Sequence, residues 1–93
     1  MTQIIEVTPT WVNLTDTAGL LEDGRYICQN IGAKGIFLFE SETIPDASEI
    51  GILLDTHKYI GILQNGTILK FWARVNNYDQ AGSSGRMVVT SMG

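Results

Sequence analysis

Few side chains in this chain could do chemistry, and their types and spacing give them no partners. The 93 residues contain one histidine, His57, and one cysteine, Cys28. A catalytic nucleophile needs a neighbouring base, and a zinc site needs four nitrogen or sulfur ligands, so one His and one Cys assemble neither. We expect His57, in "DTHKYI", to lie at the surface or the core edge, and Cys28, within an apolar run, to be a small core residue.

The carboxylates are more numerous but no better arranged. Glu40 and Glu42 share one face of an extended segment, as an acid/base pair would, but exposed charge at a strand end explains them more simply. The spacing in "DASE" (46–49) is too loose for a calcium loop, and the glycines of "NIGAKG" (30–35) match no phosphate-binding loop. We therefore predict no enzymatic activity, no catalytic residue, no cofactor and no metal.

Charge and hydrophobicity restrict the partners. The net charge is −4 and the cations are scattered, which argues against nucleic acid because phosphate binding needs clustered Lys and Arg. Five carboxylates fall within residues 40–55 without a cation; this acidic segment is either solvated connecting chain or a docking surface for a basic partner. The N-terminus has no signal-peptide pattern and no apolar run reaches membrane-spanning length, so we expect a soluble protein made in the cytoplasm.

The length and the short runs of β-branched and aromatic residues predict one all-β domain over residues 1–93. A small antiparallel β-sandwich or jelly-roll-like barrel fits, because no convincing helix separates the strands. The seven predicted strands are 3–7, 10–15, 24–30, 35–40, 58–63, 67–75 and 86–91. The segment "PDASEIGILLD" (45–55) could form a single helical turn capped by Asp46 or Ser48.

Turn signals join these strands. "EDG" (22–24) and "NG" (65–66) are typical of turns between antiparallel strands, because Gly accepts the positive φ that such turns require. "YIGILQNGTILKFW" (59–72) is therefore the firmest predicted hairpin.

Side-chain alternation in "TILKFWARV" (67–75) separates two faces of a strand. Leu69, Phe71, Ala73 and Val75 would face the core, and Ile68, Lys70, Trp72 and Arg74 the other side. A Trp between two cations on an outer face is typical of an interface anchor, since Trp and Arg are enriched at binding hot spots. The alternative is that a loop of the same chain lies over Trp72. Our predicted interface residues are Lys70, Trp72 and Arg74.

In "GIFLFE" (35–40) both faces of the strand are apolar, with Phe37 and Phe39 on one and Ile36 and Leu38 on the other. Such a strand is either central with a loop packed behind it or in contact with another subunit.

The order of these features carries a resemblance. Trp11 comes first, "DGRYICQN" follows, and "GIFLFESETIP" leads into the acidic segment. The strand "KFWARV" then precedes a Gly/Ser turn and the last strand, "RMVVT". In this order the chain resembles the small all-β virion proteins of tailed bacteriophages, which serve as capsid decoration (cement) proteins, head fibres or tail appendages. The resemblance runs from Trp11 to Val89 through short motifs.

The resemblance implies a non-enzymatic structural protein of the virion, made in the bacterial host. Its partner would be the major capsid protein or another virion protein, bound as a homo-oligomer, with a trimer favoured. It implies no catalytic residues, and the charge and the lack of a long apolar run already argue against nucleic acid and a membrane as partners. Lys70, Trp72 and Arg74 would form the interface by their place in the "W-x-R" strand.

Two other functions compete. In a carbohydrate-binding or receptor-binding module of a phage tail, Tyr26, Tyr59, Trp72 or Tyr78 would form a stacking platform for a sugar. A small hydrolase ranks last, because its carboxylate pair is unconvincing and its histidine has no partner.

Overall fold

The chain folds as a β-sandwich of two antiparallel four-stranded sheets. The computed structural model describes residues 2–21, 23–46, 48–64, 66, 68–76 and 85–92. The described strands confirm the predicted all-β class and antiparallel pairing. The predicted strands lie within a few residues of observed ones, with the exceptions given below.

Sheet A contains four strands in the order β1-β8-β3-β6. Their bounds are β1 Thr2–Val7, β3 Arg25–Asn30, β6 Tyr59–Leu63 and β8 Gly85–Ser91. Strand β8 lies between β1 and β3, so the first and last described strands are neighbours, with Thr2 opposite Thr90. The edges of sheet A are therefore β1 and β6.

Sheet B contains the remaining four strands in the order β2-β7-β4-β5. Their bounds are β2 Val12–Asn13, β4 Ile36–Ser41, β5 Ile52–Leu54 and β7 Lys70–Val75. Strand β5 is one that the sequence analysis missed; it is only three residues long and follows Gly51, whose φ is +71°.

A short helix, α1 (Leu14–Ala18), replaces the second half of the predicted strand 10–15. The side chain of Asn13 caps its start by accepting from the backbone N–H of Asp16, and Gly19 ends it in the left-handed conformation. The expectation of no helix is therefore wrong here, because "NLTDTAG" carries both capping signals. At 45–55, a backbone bond from Glu49 N–H to Asp46 oxygen closes one turn, and β5 follows.

The predicted hairpin of residues 59–72 is wrong. Strand β6 belongs to sheet A and β7 to sheet B, so the chain crosses between the sheets after Leu63. Gln64, fully buried, holds this crossing: its amide nitrogen donates to the carbonyl oxygens of Gly66 and Leu69, and its amide oxygen accepts from Thr15. A buried amide needs such partners, and they fix the path of the chain.

The main core lies between the sheets. Sheet A contributes buried side chains that include Val7, Cys28 and Met87, and sheet B contributes Ile36 and Ala73. The predicted inward face of β7 is confirmed at Ala73 and Val75, which are fully buried, whereas Phe71 is only half-buried. Fully buried Asn30 donates to the Leu54 carbonyl oxygen and so joins the two sheets.

Candidate functional site

The predicted interface residues do lie together on the outer face of sheet B. Lys70, Trp72 and Arg74 alternate with the core residues of β7, as the pattern indicates. On neighbouring β4, Ser41 pairs with Lys70, Phe39 with Trp72, and Phe37 with Arg74.

Trp72, however, is covered by its own chain, so the expectation of an exposed anchor is wrong. The side chain retains 9% of its accessible surface and packs in a cluster with Trp11 and Phe37, with Phe39 against it. Its indole Nε1–H donates to the carbonyl oxygen of Ser41 at 3.0 Å. A buried, hydrogen-bonded indole stabilises the fold and is not available to a partner.

Residues 42–46 and 48–51, which we call the covering segment, lie against this cluster through Trp11 and Arg74. Pro45 is buried, and the Asp46 carbonyl oxygen accepts from Trp11 Nε1–H at 3.1 Å. This confirms that a loop packs behind β4. The acidic side chains of the segment, including Asp46 and Glu49, remain exposed while its backbone faces the aromatic cluster. Sequence reasoning missed Trp11 as part of this cluster and Pro45 as a buried residue beside Trp11. The signal was a second Trp before the sheet and a Pro within the acidic segment.

Arg74 fastens the covering segment to sheet B. Its guanidinium carbon lies 4.9 Å from the centroid of the Trp11 ring and 5.1 Å from that of Phe37, within the range of cation–π attraction. A terminal nitrogen of the same group donates to the Glu49 carbonyl oxygen at 2.8 Å.

Lys70 is also engaged, in an ion pair of 3.3 Å with Asp16 of α1. The pair is partly exposed, so we expect it to contribute less than ~1 kcal/mol. The role of Lys70 and Arg74 at an interface stays a prediction, but the exposed Trp that motivated it is absent from this face.

The outer face of sheet A presents a different surface, which sequence reasoning did not identify. Cross-strand pairing sets side chains from all four strands in rows. One row contains Ile4, Val88, Gln29 and Tyr59, and the next contains Thr2, Thr90, Ile27 and Gly61. We call these eight positions the flat face; none carries a charge.

The most prominent side chains of the flat face are Ile4, which is 66% exposed, and Tyr59, which is 70% exposed. With ~4.8 Å between strands and ~6.8 Å between rows, the two rows cover on the order of 270 Å². Charged residues begin beyond them, with Glu6 opposite Arg86 on one side and Arg25 on the other. Monomeric proteins commonly expose patches of this area, so what favours a contact here is the absence of charge within a charged rim and not the size of the patch.

The two residues with possible reactivity differ in their exposure. His57 is exposed in a turn at φ +66°, and its backbone N–H donates to the Asn30 carbonyl oxygen. Cys28 is fully buried in sheet A, where burial raises the pKa of its thiol to about 12. A thiol in that environment stays protonated and unreactive near neutral pH.

Among the described residues, no three His, Cys, Asp or Glu side chains come together as a metal site. No helix formed by the described residues is long and apolar enough to cross a membrane.

Of the aromatic residues proposed for sugar stacking, Trp72 and Tyr26 are buried. The Tyr26 hydroxyl accepts from the backbone N–H of Leu21 at 2.7 Å. Tyr78 lies outside the described residues. Tyr59 remains as an exposed ring, directly opposite Gln29 on the flat face.

We compared the chain with known proteins on its sequence and on its fold. No family model, no curated protein and no solved structure matches it.

Proposed function

We propose that the chain is a non-enzymatic accessory protein of a tailed-phage virion, of the capsid decoration type. It binds the major capsid protein or another virion protein, as an oligomer, and reaches the virion after synthesis in the host cytoplasm. The phage assignment rests on the resemblance of the sequence. The flat face of sheet A is the one structural observation that favours binding.

This proposal moves the docking surface from the Trp72 strand to the flat face. Side chains such as Ile4 and Tyr59 project from a rigid sheet, so they can be covered without loss of backbone entropy. The charged rim formed by Glu6, Arg86 and Arg25 should determine the orientation of the contact more than its affinity.

Co-sedimentation of the purified protein with expanded capsids of the phage that encodes it tests the proposal. The wild type should pellet with the capsids and raise their melting temperature. Ile4→Lys should weaken pelleting by about tenfold or more, because it places an unpaired charge in the contact. Ile68→Lys is the matched control, since Ile68 is 67% exposed and lies outside the flat face. Equal pelleting of the two variants, or none by the wild type, would refute the proposal.

A carbohydrate-binding role in a tail appendage is the second candidate. The observation that favours it is the exposed Tyr59 ring beside the amide of Gln29, a stacking platform with a polar neighbour. A glycan array with wild type and Tyr59→Ala distinguishes the two functions, because capsid docking predicts no glycan signal for either protein.

A further inference from the structure

Strand β6 is an edge strand without the usual protection. No described strand lies beyond it in sheet A, and its five residues, YIGIL, include no charge and no proline. Edge strands of monomeric proteins are normally short, charged, bulged or interrupted by proline, because an open ladder recruits another strand. The other described edges are protected: β1 contains Glu6, β5 has three residues, and β2 has two.

The hydrogen bonds around β6 show which backbone groups are open. Gln64 N–H donates to the Gly24 carbonyl oxygen and Asn30 N–H donates to that of Lys58, both in the β3–β6 register. Bonded pairs alternate along an antiparallel ladder, so Ile60 and Ile62 use their backbone groups toward β3. The N–H and C=O groups of Tyr59, Gly61 and Leu63 therefore point to the free edge.

We infer that β6 pairs antiparallel with β6 of a second copy of this chain, about a two-fold axis at Gly61. In this register the three open residues face one another: Gly61 lies opposite Gly61, and Tyr59 opposite Leu63 of the second copy. About six ladder hydrogen bonds form, and the two sheets A join into one sheet of eight strands. Such a contact is self-complementary, as a two-fold interface requires.

The side chains of β6 suit this occupant on both faces. On the outer side, exposed Tyr59 and Leu63 meet as an apolar cross-strand pair. On the inner side, half-buried Ile60 meets Ile62 of the second copy beside an open apolar cleft of about 130 Å³ between the sheets. The cleft is lined by Leu38, Phe39, Ile52, Ile60, Ile62 and Phe71, with exposed Glu40 among them. The second copy extends this apolar lining across the axis.

Charge and area set the strength of the dimer. Each chain has a net charge of −4, so two copies repel at long range, but no carboxylate belongs to the paired strands. Dimerisation therefore strengthens with added salt. A five-residue strand spans about 17 Å and its pairing covers roughly 400 Å² per chain, about half the area of a standard interface, so the dimer is reversible.

The inference goes beyond the proposed function and does not depend on it. It gives a two-fold dimer where the resemblance implies a trimer. Tyr59 and Gly61 belong to both surfaces, but the Tyr59 side chain still faces outward in the dimer. Ile4→Lys changes the flat face without touching β6, so capsid binding and dimerisation can fail separately.

Sedimentation velocity on the wild type and on Gly61→Lys tests the pairing. The wild type should dimerise on the order of 100 μM, as expected for an interface below ~1,200 Å², and dissociate on dilution. A Cβ on Gly61 meets no atom closer than the Tyr26 carbonyl oxygen at 4.0 Å, so a lysine side chain fits the folded monomer. Two lysines opposite each other should weaken the dimer by about tenfold or more. Ile4→Lys makes the same charge change on the far edge strand and should leave the dimer intact.

Cross-linking gives an independent readout. Residues facing each other in a hydrogen-bonded pair have Cα atoms about 5.5 Å apart, within the range of a disulfide. Gly61→Cys should therefore form a disulfide-linked dimer under mild oxidation at least ~10 times faster than Ile4→Cys, which reports random collision. Buried Cys28 does not compete.

Three results would overturn the inference: a wild type that stays monomeric at millimolar concentration, equal cross-linking of the two cysteine variants, or an undiminished dimer in Gly61→Lys.

Discussion

Replacement of Trp72 by alanine should lower the free energy of unfolding, because Trp72 stabilises the fold and does not form an exposed binding surface. The ring packs in the cluster with Trp11 and Phe37 and donates one hydrogen bond to the Ser41 carbonyl oxygen. Truncation of a buried Trp leaves a cavity and costs ~3–5 kcal/mol in typical cores. Because 9% of this side chain remains exposed and the covering segment can settle, we expect about 3 kcal/mol.

Urea unfolding followed by far-ultraviolet circular dichroism measures this loss at low protein concentration. A loss of 3 kcal/mol lowers the melting temperature of a domain of this size by about 12–24 °C. Trp72→Phe keeps one aromatic ring but removes the Nε1–H donor and part of the packing volume, so it should cost less than Trp72→Ala, about 1–2 kcal/mol. Ile68→Ala, at an exposed position, should stay within ~0.5 kcal/mol of the wild type.

The reasoning fails if Trp72→Ala is as stable as Ile68→Ala. That result would mean that the indole is not covered in solution, and it would restore the original assignment of Lys70, Trp72 and Arg74 as a docking surface. A stable Trp72→Ala that no longer binds capsids would establish it.

Three further perturbations have defined outcomes. Gly51→Ala should cost more than ~2 kcal/mol, because φ is +71° and the added Cβ overlaps the Leu38 carbonyl oxygen, whereas Gly19→Ala, at φ +67° with open space, should cost about 1 kcal/mol. Equal melting temperatures for the two glycine variants would contradict this. Gln64→Leu should cost about 2–3 kcal/mol in urea unfolding, because it leaves the Gly66 and Leu69 carbonyl oxygens without their donor; a neutral effect would show that water replaces it. The Cys28 thiol has its pKa raised from 9.0 to about 12 by burial, so the unfolded chain loses this proton first and stability should fall as pH rises from 9 to 12. Cys28→Ala should remove that part of the pH dependence, and an unchanged slope would contradict the assignment.

The period-2 alternation predicted side-chain direction within the strands well, because that direction is a local property. It placed Ala73 and Val75 inward and Trp72 outward. It also predicted apolar side chains on both faces of β4, with Phe37 on one face and Leu38 on the other. Alternation cannot tell what covers an outward face, since that depends on distant residues. Here the covering segment follows β4, and Trp11 precedes β2.

The wrong hairpin and the missed helix α1 also have local causes. Gly66 does take a positive φ of 76°, as the "NG" signal indicates, but a turn does not specify which sheet the next strand joins. The buried side chain of Gln64 decides that, and a polar residue after an apolar strand reads as exposed in sequence. The short α1 helix was hidden because its capping residues stand within a run that also favours a strand.

The flat face could not be predicted from the sequence, for a different reason. Its residues come from four strands that span most of the chain, from Thr2 on β1 to Thr90 on β8. Only the order of strands in sheet A brings Ile4 and Tyr59 into one row. No short motif encodes such an arrangement.

The position of β8 between β1 and β3 has a consequence for folding during translation. Among the described strands, β1 has no ladder partner until residues 85–91 have left the exit tunnel, and β3 has only β6, so sheet A is completed only after β8 emerges. Until then β1 and β3 each carry an unpaired strand edge, and pairing over such long sequence separations is slow. The nascent chain should therefore expose these edges to chaperones until β8 has emerged.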